Sequence, residues 1–195
     1  MTLDPRAVRT VLVVLTGPEC SGKTTLASEL AARFAAPWTV EASRQYAESS
    51  PEPLSAGTVG PIARLSMRLE DDALASDPPL LVRDTDLVST VVYAHHYYGE
   101  CPDWIVAEAR ARRADLYLLC VPDLPWSHDG VRDRPDGREQ LFDEFARALQ
   151  EIGARVDVIR GDGQVRTDAA AHAVRAMLPT EANPATRGRG SRRTP

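Results

Sequence analysis

Hydrophobic and polar positions fall into two alternating kinds of block along this chain. Short runs in which nearly every residue is apolar mark strands covered on both faces. Between them, apolar residues recur every three or four positions, the period of an amphipathic helix. Val11–Thr16 (VLVVLT), Leu80–Asp84 (LLVRD), residues 116–121 (LYLLCV) and Val156–Ile159 read as strands, with a short one at 38–41. Helices are predicted over Lys23–Phe34 with Leu26, Leu30 and Phe34 inward, over 58–76 with Ile62, Leu65, Leu69 and Ala73 inward, and over Leu87–Tyr98 with Val88, Val91, Val92 and His95 inward. Three more are predicted at 104–111 behind Pro102, at 139–152 and at 167–178. Strand and helix in alternation predict the α/β class: a parallel sheet of about five strands with helices on both faces.

Composition narrows the class further. The balance of 43% apolar and 26% charged residues is that of an ordinary globular domain, which excludes a fibrous or wholly disordered chain. One domain is expected over 1–178, with a basic tail rich in Pro, Gly and Arg at 179–195 lying outside it. The net charge is −5 although that tail carries four Arg and one Glu, so the body is the acidic part. An acidic body is a poor partner for nucleic acid, which needs a basic face. No apolar run approaches the roughly 20 residues of a membrane span, so no membrane partner and a cytoplasmic place are expected. Cys20, Cys101 and Cys120 are far apart, which argues for reduced thiols rather than a disulfide framework.

Of the 23 basic residues, 22 are Arg and one is Lys23. Where Arg serves every ordinary cationic position, the position that keeps Lys needs a compact ammonium on a flexible stem. Lys23 closes the string Gly17-Pro18-Glu19-Cys20-Ser21-Gly22-Lys23-Thr24, followed by Thr25, which fits G-x-x-x-x-G-K-S/T between a buried strand and a helix. This placement predicts a P-loop NTPase three-layer sandwich. The loop N–H groups and the helix N-terminus cradle the phosphates of ATP, Lys23 reaches the β- and γ-phosphates, and Thr24 helps hold Mg²⁺.

Ligands of open α/β sheets lie beyond the carboxyl ends of the strands. Asp84 ends one strand and Glu41 another; with the third strand beside the first, as is usual in this fold class, Asp84 is expected beside the metal and Glu41 one strand further out, on the acceptor side. One of Glu41, Asp84 or Asp86 would receive the proton of an acceptor hydroxyl; helix capping is an equal role for Asp86 and an ion pair with Arg44 an alternative for Glu41. A polar segment at about 122–138 reads as a nucleoside-kinase-like lid. Its Arg132, Arg134 and Arg138 are all candidates for the γ-phosphate, and Trp126 for stacking on a base. His95-His96-Tyr97-Tyr98 is set aside as a metal site, because adjacent histidines diverge by about 100° on a helix.

The runs TGPECSGKTTLA, EASRQY, RDTD and ADLYLLCVPDLPWSHDGVR together resemble the ribosylnicotinamide kinase domain of the bifunctional NAD-biosynthesis regulator and its stand-alone relatives in the AAA-like ATPase group. The resemblance implies ATP-dependent phosphorylation of the 5′-hydroxyl of nicotinamide riboside, a small-molecule substrate. It also implies that Glu41, Arg44 and Tyr46, Asp84 and Asp86, and Trp126, Asp129, Gly130 and Arg132 occupy the family's substrate and lid positions. Val40 stands where relatives can carry an aromatic residue, and Ser66 where Gln is common. No H-x-G-H element occurs, so no adenylyl transfer is expected of these residues. The residues leave two other readings open: a kinase of another nucleoside or small alcohol, and a switch that hydrolyses ATP and signals to a partner.

Overall fold

The computed structural model describes residues 9–50, 52–126 and 137–179. Five parallel strands, β1 (Val11–Thr16), β2 (Trp38–Thr39), β3 (Leu80–Asp84), β4 (Leu116–Cys120) and β5 (Val156–Ile159), lie in the order β2-β3-β1-β4-β5. The strand after the long connection has moved in beside β1, and β2 is displaced to the edge. Alternate residues of each strand feed opposite faces. Val13 and Leu15 of β1 join a core with Leu26, Leu30, Ala170 and Val174, which come from α1 (Lys23–Phe34) and α7 (Gly163–Arg175). Val14 joins the other core, closed by α3 (Val59–Leu74), α4 (Leu87–Tyr98), α5 (Asp103–Ala111) and α6 (Arg138–Glu151). The chain is thus the three-layer α/β/α sandwich expected of a P-loop protein. No described helix is long and apolar enough to cross a membrane.

Several expectations change on contact with tertiary structure. The strand expected at 38–41 stops at Thr39, because Glu41 becomes the N-cap of α2 (Ala42–Ser49), a helix the pattern did not predict. Only Ala42 of α2 is buried, so its sequence carries no apolar stripe to read. In α3 the buried face is Val59, Ile62, Ala63, Ser66 and Glu70, while Leu65, Leu69 and Ala73 are only half-buried. The cause is Arg83 of β3, whose buried guanidinium pairs with Glu70 and donates to Ser66 Oγ at 3.0 Å. A buried charge must be paired, and that requirement turns two polar residues inward. His95 is exposed, and Tyr93 takes the inward place in its stead. Pro102 is the N-cap of α5, which begins at Asp103, one residue ahead of the predicted 104, and α7 begins at Gly163, ahead of the predicted 167.

Candidate active site

The turn leaving β1 needs glycine for a steric reason. Gly17 has φ 130°, and a Cβ there would lie 2.6 Å from the carbonyl oxygen of Cys120 at the end of β4. Cys20 and Gly22 are also left-handed, and a Cβ on Gly22 would meet Leu124 Cδ1 at 2.8 Å. Left-handed residues in a loop that opens a helix are the conformation from which anion-binding nests are built. No side chain caps α1 and its first turn holds no acid, so the N-terminal donors and the positive dipole end stay available. Lys23 is 6% exposed and folds back over its own loop, Nζ donating to the Pro18 carbonyl at 2.7 Å. Ser21 Oγ donates to the same oxygen at 2.8 Å. Thr25, the residue after the motif, is exposed on α1.

Parallel register brings the carboxylates to this loop. Asp84 pairs across the sheet with Leu15, two residues before Gly17, and is 1% exposed. Thr24 Oγ1 donates to its Oδ2 at 2.5 Å, while Oδ1 is buried with no hydrogen-bond partner among the described residues. Burial, then the Glu41 carboxylate, push the Asp84 carboxyl up to about 6, against the opposing pull of Lys23, Thr24 and Arg44. An ionised carboxylate oxygen held dry beside a hydroxyl fits a hard cation that also takes phosphate oxygens and water. Among the described residues no three His, Cys, Asp or Glu side chains gather to hold a metal unaided.

Glu41, two residues past β2 at the N-cap of α2, is buried and accepts a hydrogen bond from Ser43 Oγ at 2.5 Å. It stands at a cavity of about 420 Å³ between α2, α3 and α4, whose polar lining includes Ser66, Asp86, Ser89 and Thr90. Two tyrosines of its wall reach the glycine-bearing loop after β1: Tyr93 Oη donates to the Gly17 carbonyl at 3.3 Å and Tyr97 Oη to Glu19 Oε1 at 2.7 Å. Cavity and nest therefore share a boundary. Asp86 lines the cavity as well, but its Oδ1 accepts from the backbone of Val88 and Ser89, and its Oδ2 from Tyr117 Oη at 2.7 Å. It is the N-cap of α4. Burial raises its carboxyl above the ordinary range, opposed first by Arg83.

The remaining expected residues scatter. Arg44 lies near enough to Asp84 to lower its proton affinity, whereas Tyr46 and Trp126 are not among the residues lining the cavity. Arg138 opens α6 and donates to the Leu124 carbonyl at 3.2 Å. Asp129, Gly130, Arg132 and Arg134 lie outside the described residues. Arg166 was not expected. Buried at the start of α7, it donates to the carbonyls of Ser21 at 2.6 Å, Gly161 at 2.7 Å and Val121 at 3.2 Å, and to Asp123 Oδ1 at 2.9 Å. One guanidinium thereby ties the loop after β1 to the ends of β4 and β5. A lone Arg before an Ala-rich helix gives no sign of this in the sequence.

Solved structures with this fold include the NadR protein in complex with NR, at a TM-score of 0.71 and 21% identity over 89% of this chain and 52% of that one. The NadR protein in complex with NAD and AMP-PNP matches at 0.66 and 22% identity, over 87% of this chain and 50% of that one. The chain thus spans about half the length of these two. Thymidylate kinase from Ehrlichia chaffeensis matches at 0.62 and 14% identity over 87% of this chain and its own full length. No curated protein matches. A family model described as "AAA domain" matches residues 12–166, which run from β1 to the buried Arg166 and include the nest, Glu41 and Asp84. The chain belongs to the AAA domain family.

Proposed function

We propose that this protein is an ATP- and Mg²⁺-dependent kinase that phosphorylates the 5′-hydroxyl of nicotinamide riboside to give nicotinamide mononucleotide. The observation that carries this reading is the cavity behind Glu41. Its lining holds two carboxylates, Glu41 and Asp86, a row of hydroxyls, and no Lys or Arg among the described residues. Such a wall suits a neutral or cationic polyhydroxylated acceptor and repels one that already carries phosphate. Nicotinamide riboside, a ribose on a positively charged pyridinium, has that chemistry; a nucleoside monophosphate does not. A hydrolytic switch needs no acceptor cavity of this kind.

In this reading the main-chain donors of residues 17–24 and the Lys23 ammonium hold the donor phosphates. Thr24 and Asp84 hold Mg²⁺, which when bound offsets charge on the phosphate oxygens. Glu41, with Ser43 fixing one of its oxygens, receives the proton of the acceptor hydroxyl. Asp84 is committed to the cation, and Asp86 to its cap and Tyr117. Arg44 balances the charge of the two neighbouring carboxylates. Arg132, Arg134 and Arg138 supply lid cations, with Trp126 and Asp129 on the acceptor side, as the resemblance implies. The test is a competition: the full chain is given MgATP with nicotinamide riboside, uridine and thymidine monophosphate together, and products are weighed by mass spectrometry. Phosphorylation of nicotinamide riboside ahead of both others is expected. Preference for thymidine monophosphate, or ADP formed with no phosphorylated acceptor, overturns the reading.

A further inference from the structure

An anion-binding loop that contains a glutamate carries a charge opposed to its own ligand. Glu19 is the third residue of the nest, between Gly17 and Lys23, and its side chain is buried. Left to rotate freely, a carboxylate on this loop would raise the electrostatic cost of placing phosphate beside it. The structure gives it a fixed place. Tyr97, eleven residues into α4, donates its phenolic proton to Glu19 Oε1 at 2.7 Å. The Tyr97 ring lies nearly parallel to Tyr93, with centroids 6.0 Å apart and planes 10° apart, and meets His96 edge-on at 4.9 Å. Tyr93 in turn packs edge-on against Phe145 of α6 and donates to the Gly17 carbonyl. Both rings belong to the cavity wall, so their positions are set by α4 and the core rather than by the loop.

We propose that Tyr97 is a positioning residue for the donor: its hydroxyl holds the Glu19 carboxylate against α4 and away from the phosphates, which keeps the nest net attractive to anions. This rests on the reading of residues 17–24 as a triphosphate site. Its signature is a dependence on charge. Loss of the hydroxyl harms nucleotide binding because it releases a negative group, so removing that charge cancels the harm. A tyrosine that merely stiffened the wall would show no such cancellation.

The experiment is a double-mutant cycle with Tyr97→Phe, which keeps the ring contacts, and Glu19→Gln. Affinity for a magnesium complex of a non-hydrolysable ATP analogue is measured by calorimetry on the full chain, without acceptor, so that the acceptor wall does not enter the readout. Circular dichroism melts check that each variant is folded. Tyr97→Phe is expected to weaken binding about fivefold, the order of one nearby charge at intermediate dielectric. In the E19Q background the same change costs less than about twofold. The fivefold loss should shrink as ionic strength rises. Equal losses in both backgrounds overturn the proposal, as does no loss in either. If Tyr97→Phe does not fold, Tyr97→His and Tyr97→Trp, each with and without E19Q, supply the same cycle. Absence of binding by the unaltered chain contradicts the triphosphate site itself, and is thereby distinct from failure of the tyrosine's role.

Discussion

In the proposed function the chemistry falls first on two side chains, Lys23 and Asp84. The solitary lysine is buried and folds back to donate to the carbonyl of Pro18, a contact made by a compact ammonium on a flexible stem, for which a broader planar guanidinium is not an equivalent. Lys23→Arg should therefore fail as Lys23→Ala does, each lowering turnover at least about 100-fold in a coupled ADP assay. Turnover near that of the unaltered chain in Lys23→Arg would show that charge alone suffices. Asp84 makes an opposite trade. Its carboxyl titrates at about 6 in the folded, metal-free protein against 3.8 ordinarily, so the native state binds this proton more tightly than the unfolded state. The group therefore favours folding below about pH 4, and that contribution is lost as pH rises through about 6. At pH 7.5 ionised Asp84 costs the nucleotide-free protein about 1–3 kcal/mol. Asp84→Asn should then raise the melting temperature of that form by about 5 °C at pH 7.5, with the gain narrowing towards pH 5, while Mg²⁺-dependent turnover is lost. An unchanged or lower melting temperature at pH 7.5 would mean that the carboxylate is better solvated or paired than this geometry provides.

At the level of elements, the strands were legible because a strand covered on both faces is nearly all apolar, whereas their order rested on what is usual for this fold class. β1, α1, β3, α4 and β5 begin and end where the sequence places them. Asp84 at the end of β3 and Glu41 just past β2 came out as neighbours because the structure does place β3 between β1 and β2. What escaped was set by partners distant in the chain. α2 has no apolar stripe; the turn of α3 toward Ser66 and Glu70 answers Arg83; and Arg166 has meaning only once the loops after β1, β4 and β5 lie together. Arg166 grips four oxygens on three segments, and a lysine cannot span them. Arg166→Lys should raise the KM for ATP about tenfold, with a smaller change in the KM for the acceptor, since it loosens the nest and not the cavity. Equal rises in both constants would mark a general loss of stability. Gly17→Ala drives a Cβ into the Cys120 carbonyl from a left-handed backbone, and should lower stability by at least about 2 kcal/mol in urea unfolding. Full stability in that variant would show that the loop can pass β4 by another route.

For the molecule as a whole, the proposed function needs three things at one end of the sheet, and the fold offers a place for each: the loop after β1 for phosphate, Asp84 at the end of β3 for a cation, and the acidic cavity beside Glu41 for an acceptor. Tyr93 and Tyr97 stand where cavity and nest meet, in a segment whose histidines drew attention first and whose tyrosines make the contacts. The whole account requires that this edge receive one magnesium nucleotide per chain. The most direct measurement is calorimetric titration of the full chain with a non-hydrolysable ATP analogue, with and without Mg²⁺. The account predicts a single site that tightens with Mg²⁺, loses that dependence in Asp84→Asn, and is abolished in Lys23→Ala. No binding by the unaltered chain, or binding unaffected by either substitution, would contradict it.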